Sequence, residues 1–221
     1  MKVFYWSPHI SHVATVTAVI NSAAALSKHS KNKINSTIIN SIGEWDDYRN
    51  ELSEKKVDVI NIFKKESFKN LPKFGFLRSR FSYWKIFILS FFSLKRLLKN
   101  EKPKYLIIHL ITSLPIVLNF LFNFETKTIL RISGHPKLNF FRKYLWKIMG
   151  QKLFMIVCPT SATAQYLIDS NIFDKEKISV LKDPIVNIAK INSLKNKEIN
   201  YDFDKDKKYI VSIGRLTKQK N

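Results

Sequence analysis

Tyr105-Leu-Ile-Ile-His-Leu-Ile-Thr-Ser-Leu-Pro-Ile-Val-Leu-Asn-Phe-Leu-Phe-Asn-Phe124, followed by Glu125-Thr-Lys-Thr-Ile-Leu-Arg-Ile132, decides the fold. Tyr105 to Phe124 carries no formal charge, and roughly 20 such residues are enough to span a bilayer. His109, Thr112, Ser113, Pro115, Asn119 and Asn123 break that run into shorter pieces. Pro115 falls where the first turn of a helix accepts a residue without an N–H. The stretch therefore reads as a strand over Tyr105–Leu110, a helix over Thr112–Asn123 and a second strand over Lys127–Ile132. A strand, helix and strand so spaced form a parallel, right-handed crossover.

The same alternation extends both ways. Upstream, Lys2–Trp6 is a short apolar strand, and Ser7-Pro-His-Ile-Ser-His12 is its exit loop. A helix over Val13–His29 follows, with Val16, Val19, Ile20, Ala23 and Leu26 at helical spacing. Strands over Ser36–Ile42 and Val57–Phe63 flank a turn containing Glu44, Asp46 and Asp47, which reads as solvated. Phe76–Lys99 is a long helix stopped by Pro103. Leu77, Phe81, Trp84, Ile88 and Phe91 share one of its faces; Arg78, Ser82, Lys85, Ser93 and Arg96 mark another.

Downstream, Lys137–Met149 reads as a helix with Leu138, Phe141, Leu145 and Ile148 in register. Phe154–Cys158 is a strand, Thr160 caps a helix over Ser161–Ser170, and Ile178–Leu181 is a short strand before Asp183-Pro184. Residues 185–207 are polar and read as a linker. Tyr209–Ile213 is a further strand, ended by Gly214. The expected architecture is α/β: a Rossmann-like, doubly wound parallel sheet over residues 1–184, a linker over 185–207, and over 208–221 the first strand of a second Rossmann-like domain.

The 221 residues carry 38 Lys plus Arg against 17 Asp plus Glu, a formal charge of +21. Such a balance concerns partners, not fold, and suits anionic lipid, nucleic acid or a polyphosphate substrate. The lone cysteine, Cys158, excludes an internal disulfide and cannot build a zinc site. A Gly-x-Gly-x-x-Gly dinucleotide fingerprint is missing, which argues against NAD or FAD. Metal-ligand spacing and paired carboxylates for hydrolysis are missing too. No secretory signal is visible, and no recognisable motif for reading nucleic acid accompanies the charge.

Two stretches are candidates for chemistry. In Tyr209-Ile-Val-Ser-Ile-Gly-Arg-Leu-Thr-Lys-Gln-Lys-Asn221 a strand runs into a glycine and then into cations. Arg215 offers a planar fork to phosphate and Lys220 a point charge. In Arg131-Ile-Ser-Gly-His-Pro-Lys-Leu-Asn139, Gly134 permits close backbone approach, and Ser133 and His135 can hydrogen-bond a hydroxylated ligand. Arg131, inside a strand, must meet either a carboxylate or a ligand. His12, at the mouth of the first helix, is a further candidate for acceptor or sugar contact.

The pieces Gly-Arg-Leu followed by Gln-Lys-Asn, Arg-Ile-Ser-Gly with Pro-Lys-Leu-Asn, His109-Leu-Ile-Thr-Ser-Leu-Pro115 and Cys158-Pro-Thr160 stand in an order that resembles family 4 (group 1) retaining glycosyltransferases of the GT-B fold. The resemblance covers nearly the whole chain. The Ser7–Thr15 loop departs from it, lacking the glycines common there. It implies an acceptor-side domain and the truncated start of a donor-binding domain. Arg215 and Lys220 would grip the diphosphate of a nucleotide-diphosphate sugar, and the family's downstream glutamate pair would lie beyond Asn221. The implied activity is sugar transfer, with retention and without a metal or other cofactor, to a lipid-linked or surface-polysaccharide acceptor, this chain alone being inactive. The aromatics and cations of the Phe76–Lys99 helix and the one after Gly134 suit contact with an anionic membrane. The expected location is cytoplasmic, peripheral on the inner face of the cytoplasmic membrane, with no nucleic-acid partner. The alternatives are a non-enzymatic basic module binding membrane or nucleic acid, and a GT-B-like sugar-nucleotide epimerase.

Overall fold

The computed structural model describes residues 1–10, 14–63, 76–186, 188–197, 204 and 206–210, with the side chains of 76–80, 189 and 190 outside the description. His12, Arg215, Lys220 and residues 211–213 of the expected last strand also lie outside the described residues. The chain divides into two units, Met1–Ile185 and Val186–Asn221.

The first unit is a seven-stranded, wholly parallel sheet in the order β3-β2-β1-β4-β5-β6-β7. Its strands are β1 (Lys2–Trp6), β2 (Asn35–Asn40), β3 (Asp58–Asn61), β4 (Tyr105–Ile108), β5 (Lys127–Arg131), β6 (Met155–Cys158) and β7 (Ile178–Val180). The crossovers are α1 (Ala14–His29), α2 (Arg49–Glu54), α3 (Phe76–Glu101), α4 (Ser113–Leu121), α5 (Phe140–Met149) and α6 (Ser161–Asp169). This is the Rossmann-like α/β class read from the alternation, and Tyr105–Phe124 divides into strand, turn and helix. Among the described residues no helix is long and apolar enough to cross a membrane.

Side-chain alternation along each strand separates two cores. Phe4 and Trp6 of β1 join Leu106, Ile108, Leu130, Ile156 and Cys158 on the face covered by Leu94 and Leu98 of α3, by α4, by Trp146 of α5 and by Leu167 of α6. Val3 and Tyr5 face the other way, against Val16, Val19, Ile20 and Ala23 of α1, Trp45 and Leu52. Caps fix two helix starts: the Asn139 side chain accepts from the Arg142 N–H, and Thr160 accepts from the Thr163 N–H, as read for Thr160.

Three local readings are corrected. In α3 the stripe Phe81, Trp84 and Ile88 faces solvent, while Ser82, Ile86, Ser90, Leu94 and Leu98 are buried. The serines let the helix approach closely, and Ser90 Oγ meets Ser41 Oγ at 3.0 Å. In α5 Trp146 is the buried anchor, and Phe141 and Ile148 lie exposed. The acidic turn after β2 is not simply solvated. The Glu44 carboxylate folds back to accept from the Ser41 and Ile42 N–H groups, and Asp46 accepts from Asn40 and Arg49. Residues 185–207, read as a linker, include α7 (Ile188–Lys195), which lies in the second unit.

Candidate functional site

The sheet order reverses between β1 and β4, whose neighbours on their other sides are β2 and β5. Open α/β sheets bind ligands outside the carboxyl ends of their strands at such a switch. Trp6 is in register with Ile108, and the His109 N–H continues the ladder to the Trp6 carbonyl at 2.9 Å. Ser7 and His109, the residues just beyond, therefore flank the switch.

Both are buried, and among the described residues neither the Ser7 hydroxyl nor either ring nitrogen of His109 has a hydrogen-bond partner. His109 stacks beside Tyr5 with ring centroids 6.3 Å apart. Burial, with Arg131 assisting, lowers its pKa from 6.5 to about 3, so the ring is neutral and presents one donor and one acceptor. Buried polar atoms usually find partners. Two such side chains at the reversal of strand order leave a hydroxyl and an imidazole able to hydrogen-bond a water or a ligand group that reaches them.

The connection after His109 is strained. Ile111 is β-branched yet holds φ at 47°, a conformation that costs such a residue on the order of 1–3 kcal/mol. The Trp6 indole N–H, donating to the Ile111 carbonyl at 3.2 Å, braces the turn that leads into α4. On the other side of the switch, Ser7-Pro8-His9 is buried, with the His9 ring edge-on to Trp45 at 5.0 Å.

The exit loop of β5 lies at the same edge of the sheet. Ser133, Gly134 and His135 are exposed there, and a Cβ added to Gly134 would meet nothing within 4 Å. His135 rests on the Tyr166 ring with centroids 4.2 Å apart. Arg131 takes the carboxylate of its two alternatives. Its Nε and Nη2 donate to Asp183 Oδ1 at 3.1 and 2.6 Å, and Nη2 also donates to the Leu181 carbonyl at 3.0 Å. Arg131 thus straps the segment leaving β7 onto β5, and Asn21 of α1 holds the next residue by donating to the Pro184 carbonyl at 2.7 Å.

The structure brings Ser133, Gly134 and His135 to the edge that bears Ser7 and His109. Sequence reasoning named neither Ser7 nor His109 as a site residue, although the strand-end position of each was a usable signal. Among the described residues no group of three His, Cys, Asp or Glu could hold a metal ion. A cleft of about 320 Å³ bordered by Thr126, Lys127 and Lys152 lies at the opposite edge, where β5 begins.

No protein-family model matches the sequence, and no curated protein matches it. Solved structures do match. The UDP-GlcNAc 2-epimerase from Neisseria meningitidis bound to UDP-GlcNAc has a TM-score of 0.59 at 14% identity, over 88% of this chain and 49% of that one. A glycosyltransferase from Rickettsia africae ESF-5 has a TM-score of 0.56 at 13% identity, over 87% and 48%. UGT71G1 from Medicago truncatula complexed with UDP-glucose has a TM-score of 0.54 at 12% identity, over 85% and 52%. The chain spans about half the length of each. At such identities the likeness speaks for the fold, a Rossmann-like lobe of the GT-B architecture.

Proposed function

We propose that this chain is the acceptor-side lobe of a glycosyltransferase that uses a nucleotide-diphosphate sugar, of the retaining family 4 class. The observation that carries the reading is the unsatisfied Ser7–His109 pair at the switch point, beside the exposed Ser133–His135 loop. In this reading residues 1–184 hold the acceptor, 185–207 link, and 208–221 begin a donor-binding lobe. The motif resemblance of Arg215 and Lys220, and the solved structures with UDP-GlcNAc and UDP-glucose, support the donor class.

The reaction breaks the bond from the sugar C1 to the diphosphate oxygen, and the electron pair leaves with the diphosphate. The acceptor hydroxyl oxygen bonds to C1 on the face that the diphosphate leaves, and its proton passes to an oxygen of the departing diphosphate. Charge develops on the diphosphate, so fixed cations there lower the barrier. Arg215 and Lys220 would supply them. Ser133, His135 and His12 would orient acceptor hydroxyls, with Ser7 and His109 behind them.

The test uses a protein carrying this chain together with a donor-binding lobe, incubated with labelled nucleotide sugars and a lipid-linked acceptor. Arg215→Ala and Lys220→Ala should each reduce transfer by about 10²-fold or more, as loss of one charge-stabilising group does. Near-normal transfer by either variant refutes the assignment. Epimerised nucleotide sugar without a transferred product would favour the second reading, a sugar-nucleotide epimerase, which the likeness to the Neisseria meningitidis enzyme keeps in view.

A further inference from the structure

Helix α3 is longer than the sheet it crosses. Its far end is tied to the start of β1 by Glu101, which accepts from Lys2 Nζ at 2.9 Å. Ser90 is level with the end of β2, because its hydroxyl meets that of Ser41, the residue after Asn40. The segment from Ser90 to Glu101 rises about 17 Å, close to the roughly 16 Å of a five-residue strand. The helix begins at Phe76, so the turns before Ser90 continue past the carboxyl edge of the sheet for up to about 20 Å.

Those turns carry large apolar groups into solvent. Phe81, Trp84 and Ile88 in those turns, and Phe92 just after Ser90, follow one another at helical spacing and are 64%, 64%, 60% and 73% exposed. Helix α5 also starts at the carboxyl edge, since it returns from the end of β5 to the start of β6. Its first residues, Phe140 and Phe141, are 78% and 81% exposed, and Tyr144 follows. Exposed Arg142, Lys143 and Lys147 stand among them. No Asp or Glu occurs from 67 to 100 or from 126 to 168. An apolar, aromatic stripe beside cations, with no acid within either stretch of sequence, matches the two layers of an anionic lipid surface.

We infer that the projecting half of α3 and the start of α5 form a membrane-docking edge that inserts Phe81, Trp84, Ile88, Phe92 and Phe140 into the interface of an anionic bilayer. The edge that carries Ser7, His109 and the Ser133–His135 loop then turns towards the lipid, where a lipid-linked acceptor resides. The surface itself does not depend on the transferase reading, and its test measures binding without turnover.

Trp84 makes that test specific. Trp6, Trp45 and Trp146 are buried, leaving Trp84 as the solvent-exposed tryptophan of the four. The full 221-residue chain is mixed with vesicles of phosphatidylcholine alone or with phosphatidylglycerol. Flotation and a blue shift of tryptophan emission are expected with the anionic vesicles. Trp84→Phe should remove the shift and keep flotation. A Phe81→Ser, Ile88→Ser, Phe92→Ser triple variant with unchanged circular dichroism should lose flotation. Gln in place of Arg142, Lys143 and Lys147 should weaken partitioning about fivefold per cation, roughly a hundredfold in all. The inference is overturned if anionic vesicles give neither flotation nor a shift, or if the serine variant floats as well as the parent. It is equally overturned if Trp84 shifts through lipid-free self-association, or if RNA competes the chain off the vesicles.

Discussion

Replacing Asp183 by Ala leaves a guanidinium stranded. The Arg131 side chain is 6% exposed, and Asp183 provides the shorter of its contacts at 2.6 Å; the Asp183 side chain is 23% exposed. Removing one partner of a buried pair costs about 3–5 kcal/mol. Water reaches Asp183, which places the loss at the lower end, about 3 kcal/mol. Arg131→Met removes the buried charge itself. The remaining carboxylate rehydrates through its exposed side, and the cost falls to about 1 kcal/mol, that of lost hydrogen bonds. With a slope of roughly 2 kcal/mol per molar urea, the unfolding midpoint should drop by about 1.5 M in Asp183→Ala and about 0.5 M in Arg131→Met. Urea titrations followed by circular dichroism measure both. Equal losses in the two variants, or an unchanged midpoint in Asp183→Ala, would refute the view that this pair is a buried strap.

Gly150→Ala should destabilise by about 1–3 kcal/mol, seen as a lower thermal midpoint, because its Cβ would sit 2.6 Å from Phe173 Cε1. Burial pushes the Glu44 carboxyl from 4.5 up to about 7, against the pull of the Ile42 and Ser41 N–H groups. The folded chain then holds this proton more tightly than the unfolded one, so Glu44 makes stability fall as pH rises from about 4.5 to about 7. The slope is at most about 1.4 kcal/mol per pH unit, and Glu44→Gln should remove it; parallel stability curves for parent and variant would contradict this. His109 has the opposite sign: its pKa is depressed from 6.5 to about 3, so its contribution is lost as pH falls below 6.5. Its ring C–H resonances should stay constant from pH 8 to 5, and titration near 6.5 would show that the ring is not buried as described.

The sheet was legible because its strands are short apolar runs separated by helices of ordinary length, and parallel crossovers leave few arrangements. Arg131 was legible as a residue needing a partner, yet that partner is 52 positions away, in a dipeptide that reads as a chain break. The packed face of α3 was not legible. Hydropathy selects Phe81, Trp84 and Ile88, whereas burial selects Ser82 and Ser90, and the small side chain of Ser90 lets the helix come near Ser41. Glu44 misled for a similar reason, since a carboxylate among polar neighbours reads as solvated until the backbone turns its N–H groups towards it. The candidate site residues divide likewise. Gly134 and its neighbours announce a loop, but the isolation of Ser7 and His109 exists only once β1 and β4 lie side by side.

Cys158 lies in the core, and burial raises the pKa of its thiol. It is also the sole cysteine of the chain. A sulfhydryl introduced on the protruding turns of α3 would therefore react with maleimide or nitroxide reagents far faster than the native one. Spectroscopic labels can be installed there one position at a time, with no need to engineer a cysteine-free parent.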